Sequence, residues 1–552
     1  MNDLMNKARL SNTNLSLEEL TTRIGKATSS LREKQWENVS HDNACIQQDG
    51  GGEYKRSRLF DIFQEFKREQ ATLIRLGSQG GNIPEQTRHV HVRTALASII
   101  HGKCHSLGVR TKDVSVEALD KQIFDRYVDT LQSRQWNTIS LRHPMQFPEP
   151  GETARTVNFI TTMTPASGLD SVLRRKYQED GINGICSYAT QEQRHAVNLW
   201  RTEFRAEQPA GTQTKHGFSA IRHGVHDAYG IEDPRQRATA NDARVKEFIH
   251  ASVIDHLKRN KITLDDTDAG RPLSIDIVSV NLLTPIGKEK ELIKQQQQAL
   301  SRANGREIQV QVSDEGNSHR VNVKPRIIMF NVPVDHLSLA ATGNVMGIWR
   351  HADLINNDAI KLLIGSVEKN KTIGGATGLR IQTLNAELAT ITGNNTTDLS
   401  KRRTICGKIT LIEHLTEQIR DIYISKLHHR VGNEPYKLPT RLLALANEIG
   451  ATPAFNCKSG KDRTGQLNVE IRDLYAQLIA NGGTPRAVDA KREGLAKENY
   501  KILFMNGGDR DIQALNTGVT GSKTQLRYYH RLMDVPPKNI DQIKGLSKWV
   551  GA

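Results

Sequence analysis

Long apolar runs are missing from this chain of 552 residues, and no stretch approaches the roughly 18 consecutive apolar residues of a spanning helix. The leading segment MNDLMNKARLSNTNLS has no apolar core of the kind a cleaved signal peptide needs, so the chain is expected to be soluble when made. Cysteine is scarce: five residues, at 45, 104, 186, 406 and 457, are too few and too scattered for a disulfide framework or a Cys-x2-Cys metal knot. The pairs His89 and His91, His223 and His226, and His428 and His429 have no cysteine or acidic partner at ligand spacing, so no metal and no cofactor is expected. Aromatic residues make up 5% of the chain and the basic residues are spread out, which leaves few stacking platforms and argues against nucleic acid. The order GxxxxGK[ST] of a nucleotide P-loop is absent as well.

What is present is positive charge. Lysine and arginine number 76 against 61 acidic residues, a net +15 that suits an acidic partner without choosing among polyphosphate, anionic membrane and nucleic acid. Hydrophobic residues at 37% suffice for sizeable cores, and the length suggests roughly two to four domains.

Read in order, the chain begins with a polar leader. Ser16-Leu-Glu-Glu19 is a capping box opening a helix to about Val39, and a second helix is expected over Leu59 to Leu76. Further helices are expected from His91 to Glu203, including Val92 to His101 and Val116 to Gln132, interrupted by Pro144, Pro148 and Pro150 and followed by a β-branched run, Thr156 to Thr162. The second half alternates. A helix over Lys246 to Lys258, a buried strand over Leu273 to Leu283, a hairpin of Ile308 to Val312 with Val321 to Val323, and a strand over Ile327 to Val332 come first. Helices then fall at Ala340 to Ile364, Ile381 to Thr390, Ile409 to Leu427 and Leu442 to Ile449, before a short strand, Ala451 to Asn456. The expected class is a multidomain α+β or α/β protein, mainly helical at its N-terminal end, with boundaries at 1–90, 91–205 and 230–552.

The short strand delivers Cys457-Lys-Ser-Gly-Lys-Asp-Arg-Thr-Gly465. A Cys and an Arg six positions apart face one anion when the residues between them curl into a nest of inward-pointing N–H groups. Leu467, Ile471, Leu474 and Leu478 follow at helical spacing, with Gly482-Gly483 as a stop, which places the loop on a helix N-terminus, where a dianion and a thiolate are both favoured. The spacing alone is weak. Cys104 and Arg110 share it, but Leu107 and Val109 would crowd a cradle there, so Cys104 reads as structural. Small residues and lysines fill the second loop instead, and two lysines suit a substrate carrying several phosphates.

This run resembles the signature of the Cys-x5-Arg phosphatases, in particular of those acting on inositol phosphates. The resemblance implies that Cys457 attacks phosphorus to give a phosphocysteine, that Arg463 holds two oxygens bidentately, and that Thr464 donates its hydroxyl to the departing sulfur. Lys458, Ser459, Gly460, Lys461, Thr464 and Gly465 would line the substrate. Asp462 matches the place where myotubularin-like lipid phosphatases keep their general acid; the plain alternative is a residue that complements the helix dipole, with Asp509 and Asp511 in reserve. The glycine-rich segments Met505 to Asp511 and Asn516 to Lys523 are expected as a loop beside the cradle, with Lys523 reaching a second phosphate.

Phe455 to Gly465 and Asn516 to Lys523, with Gly217 to Val225, Leu283-Thr-Pro285 and Phe330-Asn331, are similar to a narrower group, the SopB/IpgD-type inositol phosphate phosphatases delivered by type III secretion. That likeness implies activity on phosphoinositides such as phosphatidylinositol 4,5-bisphosphate and on inositol polyphosphates, in the host cytosol and at host membrane surfaces. It also implies a dedicated chaperone bound within residues 1–90 and a Rho-family GTPase bound around residues 110 to 175. A GTPase-binding effector whose N-terminal half carries the main activity is the alternative reading.

Overall fold

The computed structural model describes residues 134–517 apart from short internal stretches such as 186–194, 208–216 and 228–230. Lys523, Cys104 and the helices expected at 16–39, 59–76, 92–101 and 116–132 lie outside the described residues. Among the described residues eight strands form a single sheet: β1 (Ile139–Phe147), β2 (Arg155–Pro165), β3 (Trp200–Ala206), β4 (Gly217–Gly224), β5 (Leu273–Asn281), β6 (Ile308–Asp314), β7 (Asn317–Asn331) and β8 (Thr452–Cys457). Their spatial order is β1-β2-β3-β4-β8-β5-β7-β6. The centre, β4, β8, β5 and β7, is parallel, and both flanks are antiparallel.

Helices cover both faces, as a parallel centre requires. They are α1 (Ser171–Glu179), α2 (Pro234–Asn260), α3 (Gly287–Ala303), α4 (Ile348–Ile364), α5 (Gly375–Thr390), α6 (Thr396–Ile424), α7 (Lys437–Ile449), α8 (Asp462–Ala480), α9 (Gly494–Asn506) and α10 (Asp509–Thr517). Successive strand residues point to opposite faces, so Ile277 of β5 packs with Phe248, Ile249 and Val253 of α2. Its neighbour Val278 packs in the other layer with Leu442 and Leu445 of α7 and with Leu467, Ile471 and Leu474 of α8.

Several sequence expectations differ from the structure. Residues 139–206, expected as helices interrupted at the prolines around the β-branched run Thr156 to Thr162, supply β1, β2 and β3, with that run inside β2, and this flank is hydrogen-bonded through β4 to the strand that carries Cys457. Pro144 does not break β1, because β1 is the sheet's edge and pairs on one side only, where a missing N–H is tolerated. Further on, the strands expected at 321–323 and 327–332 are one strand, β7, which runs through Pro325. The β6 pairing ends at Val323, so that proline also lies beyond one ladder. The Gly-rich stretch 505–511 is not a loop either: α9 ends at Asn506, Gly508 takes a left-handed turn at φ 88°, and α10 starts at Asp509.

Candidate active site

β8 lies between β4 and β5 with all three carboxyl ends together, Gly224 opposite Cys457 and Asn281 opposite Asn456. Ligands of open α/β sheets bind in such a crevice. Cys457 is the last residue of β8, 3% exposed, and Asp462 opens α8 five residues later. The loop between them is braced from behind. The Lys458 carbonyl accepts from the Val225 N–H at 3.1 Å. The carbonyls of Ser459 and Gly460 accept from Asn198 Nδ2 at 3.1 and 2.8 Å, and Gly460 accepts again from Arg222 at 2.9 Å. These carbonyl oxygens are all turned toward β4 and Asn198. Gly460 has φ 68°, and a Cβ there would fall 2.6 Å from the His223 carbonyl carbon, so only glycine fits.

Arg463 is fixed by a residue the sequence reading did not single out. Glu289, in the first turn of α3, receives both terminal nitrogens of its guanidinium, one at 3.0 Å, and the Leu282 carbonyl accepts from it at 3.0 Å. Burial works against the guanidinium charge, but the Glu289 carboxylate, with Cys457 and Asp335 also contributing, holds the Arg463 pKa above its ordinary value. The same Glu289 accepts from the Thr284 N–H at 2.7 Å, so in sequence it looks like an ordinary helix-capping carboxylate. Asn198, at φ 51°, left no sequence signal. Its Oδ1 accepts from Trp200 and from Asn516, which brings the described start of the 516–523 segment to the loop's brace.

The remaining expected residues fall as follows. Lys461 is 1% exposed, and among the described residues neither its Nζ nor the buried Thr464 hydroxyl has a hydrogen-bond partner. Asp462 is half-buried and accepts from Gln513 of α10 at 3.3 Å. Gly465 donates to the Lys461 carbonyl at 2.9 Å and packs against Asp509. Of the reserve acids, Asp511 is exposed, and Asp509 is buried between Arg222 and Arg472, where it serves as a brace.

Behind the cradle, His223 and His226 stack at 4.2 Å against Phe248. Burial drives the His223 pKa down to about 4, and burial, His223 and Arg244 push His226 well below its usual value. Both are therefore neutral in the folded protein and protonate more readily in the unfolded chain. Stability from His223 is complete above about pH 6.5 and is lost as pH falls toward 4, amounting to about 2 kcal/mol at pH 5. Denaturant melts at pH 7.5 and 5 should show at least that loss in the unmodified protein and a visibly smaller one in His223→Gln. Equal losses would contradict this assignment.

A family model described as "Enterobacterial virulence protein IpgD" matches residues 94–536. The inositol phosphate phosphatase IpgD of Shigella flexneri is 30% identical over 468 residues, covering 80% of this chain and 77% of that one. The inositol phosphate phosphatase SopB of Salmonella bongori is 32% identical over 415 residues, covering 71% and 90%. Among solved structures, the Legionella phosphoinositide phosphatase SidF shares the fold, with a TM-score of 0.50 at 12% identity over 92% of this chain and 89% of that chain. With a family model spanning most of its length and relatives at this level of identity, the chain belongs to the IpgD family and is a phosphatase.

Proposed function

We propose that this phosphatase removes a phosphate from phosphoinositides, such as phosphatidylinositol 4,5-bisphosphate, and from inositol polyphosphates through a phosphocysteine. Cys457 Sγ forms the bond to phosphorus while the bond to the ring oxygen breaks. The leaving oxygen takes its proton from Asp462, and Arg463 holds the equatorial oxygens. Water then breaks the P–S bond, the Thr464 hydroxyl hydrogen-bonds the released thiolate, and inorganic phosphate departs. Secretion into a host cell fits the kinship with virulence proteins, and a net charge of +15 favours anionic membrane surfaces.

The observation that carries the substrate class is Lys461. Its ammonium is buried two residues along the loop from Arg463, which can serve one phosphate alone, and among the described residues it has no hydrogen-bond partner. A buried charge in that state is costly, and a second phosphate on the same ring would satisfy it. Lys461→Ala is therefore expected to lower kcat/KM for a short-chain phosphatidylinositol bisphosphate by roughly 30-fold or more. Turnover of an aryl monophosphate should change far less. Unchanged turnover of the inositol substrate, with phosphotyrosine peptides cleaved faster, would overturn the assignment.

A further inference from the structure

The His428–His429 pair lacks an acidic neighbour in sequence, but the fold supplies one. Asp353 comes from α4, while the two histidines sit in a 3-10 turn just after α6. One ligand atom from each of the three lies within 4.8 Å of the others. Asp353 Oδ1 is 3.5 Å from His428 Nε2, and Asp353 Oδ2 is 3.5 Å from His429 Nε2.

Those two distances are long for hydrogen bonds, which cluster near about 2.9 Å. Each is close to the edge of a tetrahedron, since ligands held about 2.0–2.1 Å from a zinc ion stand roughly 3.3–3.4 Å apart, and a turn of the Asp353 carboxylate would bring one of its two oxygens to serve beside both histidines. The surroundings are those of ligands held in readiness. His428 Nδ1 lies 3.2 Å from the Ile422 carbonyl, a contact in which an N–H on Nδ1 donates and Nε2 keeps its lone pair, as in many metal-binding histidines. Among the described residues, buried Asp353 Oδ1 and His428 Nε2 make no hydrogen bond. Trp349 stacks on His429 at 4.2 Å and Tyr423 on His428 at 5.3 Å, so both rings are locked by packing. The histidine side chains are 2% and 5% exposed and Asp353 is 20% exposed, which leaves a route for an ion and a position for a water. Lys426 Nζ, 3.6 Å from Asp353 Oδ2 on a side chain 63% exposed, is free to swing into solvent.

We propose that Asp353, His428 and His429 bind a divalent transition-metal ion, zinc by preference, with water as the fourth ligand. The donor set, two imidazoles and one carboxylate, suits zinc over calcium or magnesium. The ion clasps the 427–429 turn onto α4. That helix is tied in turn to the end of β7, where Asn356 accepts from the Asn331 N–H at 2.8 Å and donates to its carbonyl at 2.8 Å. Its role is structural, so phosphate release by the metal-free protein should change little.

The test uses the full chain, stripped with chelator and titrated with Zn²⁺ and then with Co²⁺. We expect one equivalent of zinc to bind and to raise Tm by several degrees. Cobalt should give the d–d absorption of a four-coordinate site without the sulfur charge-transfer band that Cys457 or Cys406 would add. Asp353→Asn and His428→Gln should lose both effects, and Cys457→Ser should keep them. Absence of a Tm shift and of a cobalt spectrum would show the cluster to be an ion pair only. Binding that survives Asp353→Asn and His428→Gln, or that vanishes in Cys457→Ser, would place the metal elsewhere. Should the variants fail to fold, the cobalt spectrum of the unmodified protein still decides.

Discussion

Cys457→Ser is expected to lower phosphate release by on the order of 10⁴-fold or more, with Tm nearly unchanged. The serine hydroxyl is close in size, and the cradle around it is held by Asn198, Arg222 and Val225 instead of by the sulfur. What disappears is the ionisable nucleophile. Arg463→Met should cost roughly 10²- to 10³-fold in kcat for lost charge stabilisation, and it should also do something less usual. Glu289 would then stand in the cradle without its guanidinium, a negative charge facing a dianion. The double variant Arg463→Met/Glu289→Gln is therefore expected to bind inorganic phosphate more tightly than Arg463→Met alone. Coupling of this sign between two touching residues is what a double-mutant cycle measures. Equal phosphate affinity in the two variants, or full turnover by Cys457→Ser, would remove the chemical basis of the proposed mechanism.

The parts of this site that could be read from sequence are local. The strand before Cys457 and the helix after it depend on neighbours a few residues away, and the structure places both as expected, whereas the need for glycine at 460 comes from the distant His223 carbonyl. The parts that could not be read are contributed from afar. Glu289, Asn198 and Arg222 each look ordinary in their own segments and acquire meaning only because β4, β5 and β8 end side by side. Asp353 is the same case, since no spacing rule links it to His428 and His429.

Element boundaries were missed for a related reason. Recurring apolar residues predict α2 from Lys246, yet it begins at Pro234. The signals were there: Asp233 caps the helix by accepting from the Gln236 N–H at 2.8 Å, and the proline stands at the first helical position. Its first two turns are polar and partly exposed, so periodicity was silent where capping was not. In β3 the opposite happened. Arg201, Glu203 and Arg205 disguise a strand whose charges are paired, Arg201 with Glu203 at 2.6 Å and with Asp255 at 2.9 Å.

Asp509→Ala is expected to destabilise the protein by about 3–5 kcal/mol, a structural loss quite different from that of a missing general acid. The carboxylate sits 4% exposed between two buried guanidiniums, Arg222 of β4 and Arg472 of α8, and also accepts from Asn468 at 3.1 and 3.3 Å. Burial and the proximity of Arg222 lower the Arg472 pKa, and Asp509 offsets part of that lowering. Without it, two like charges face each other in the interior. Arg222 also holds the Gly460 carbonyl, so the disturbance reaches the phosphate loop through a single side chain. Asp509→Asn keeps the shape and loses the charge, and should fall between the alanine variant and the parent in denaturant midpoint. Asp462→Ala should behave in the reverse way, with stability near that of the parent and kcat reduced by roughly 10²-fold. That reduction should shrink for an aryl phosphate whose leaving group needs no proton. If Asp509→Ala instead kept its stability and showed the leaving-group dependence, the acid would be Asp509 and the brace would belong to Asn468 alone.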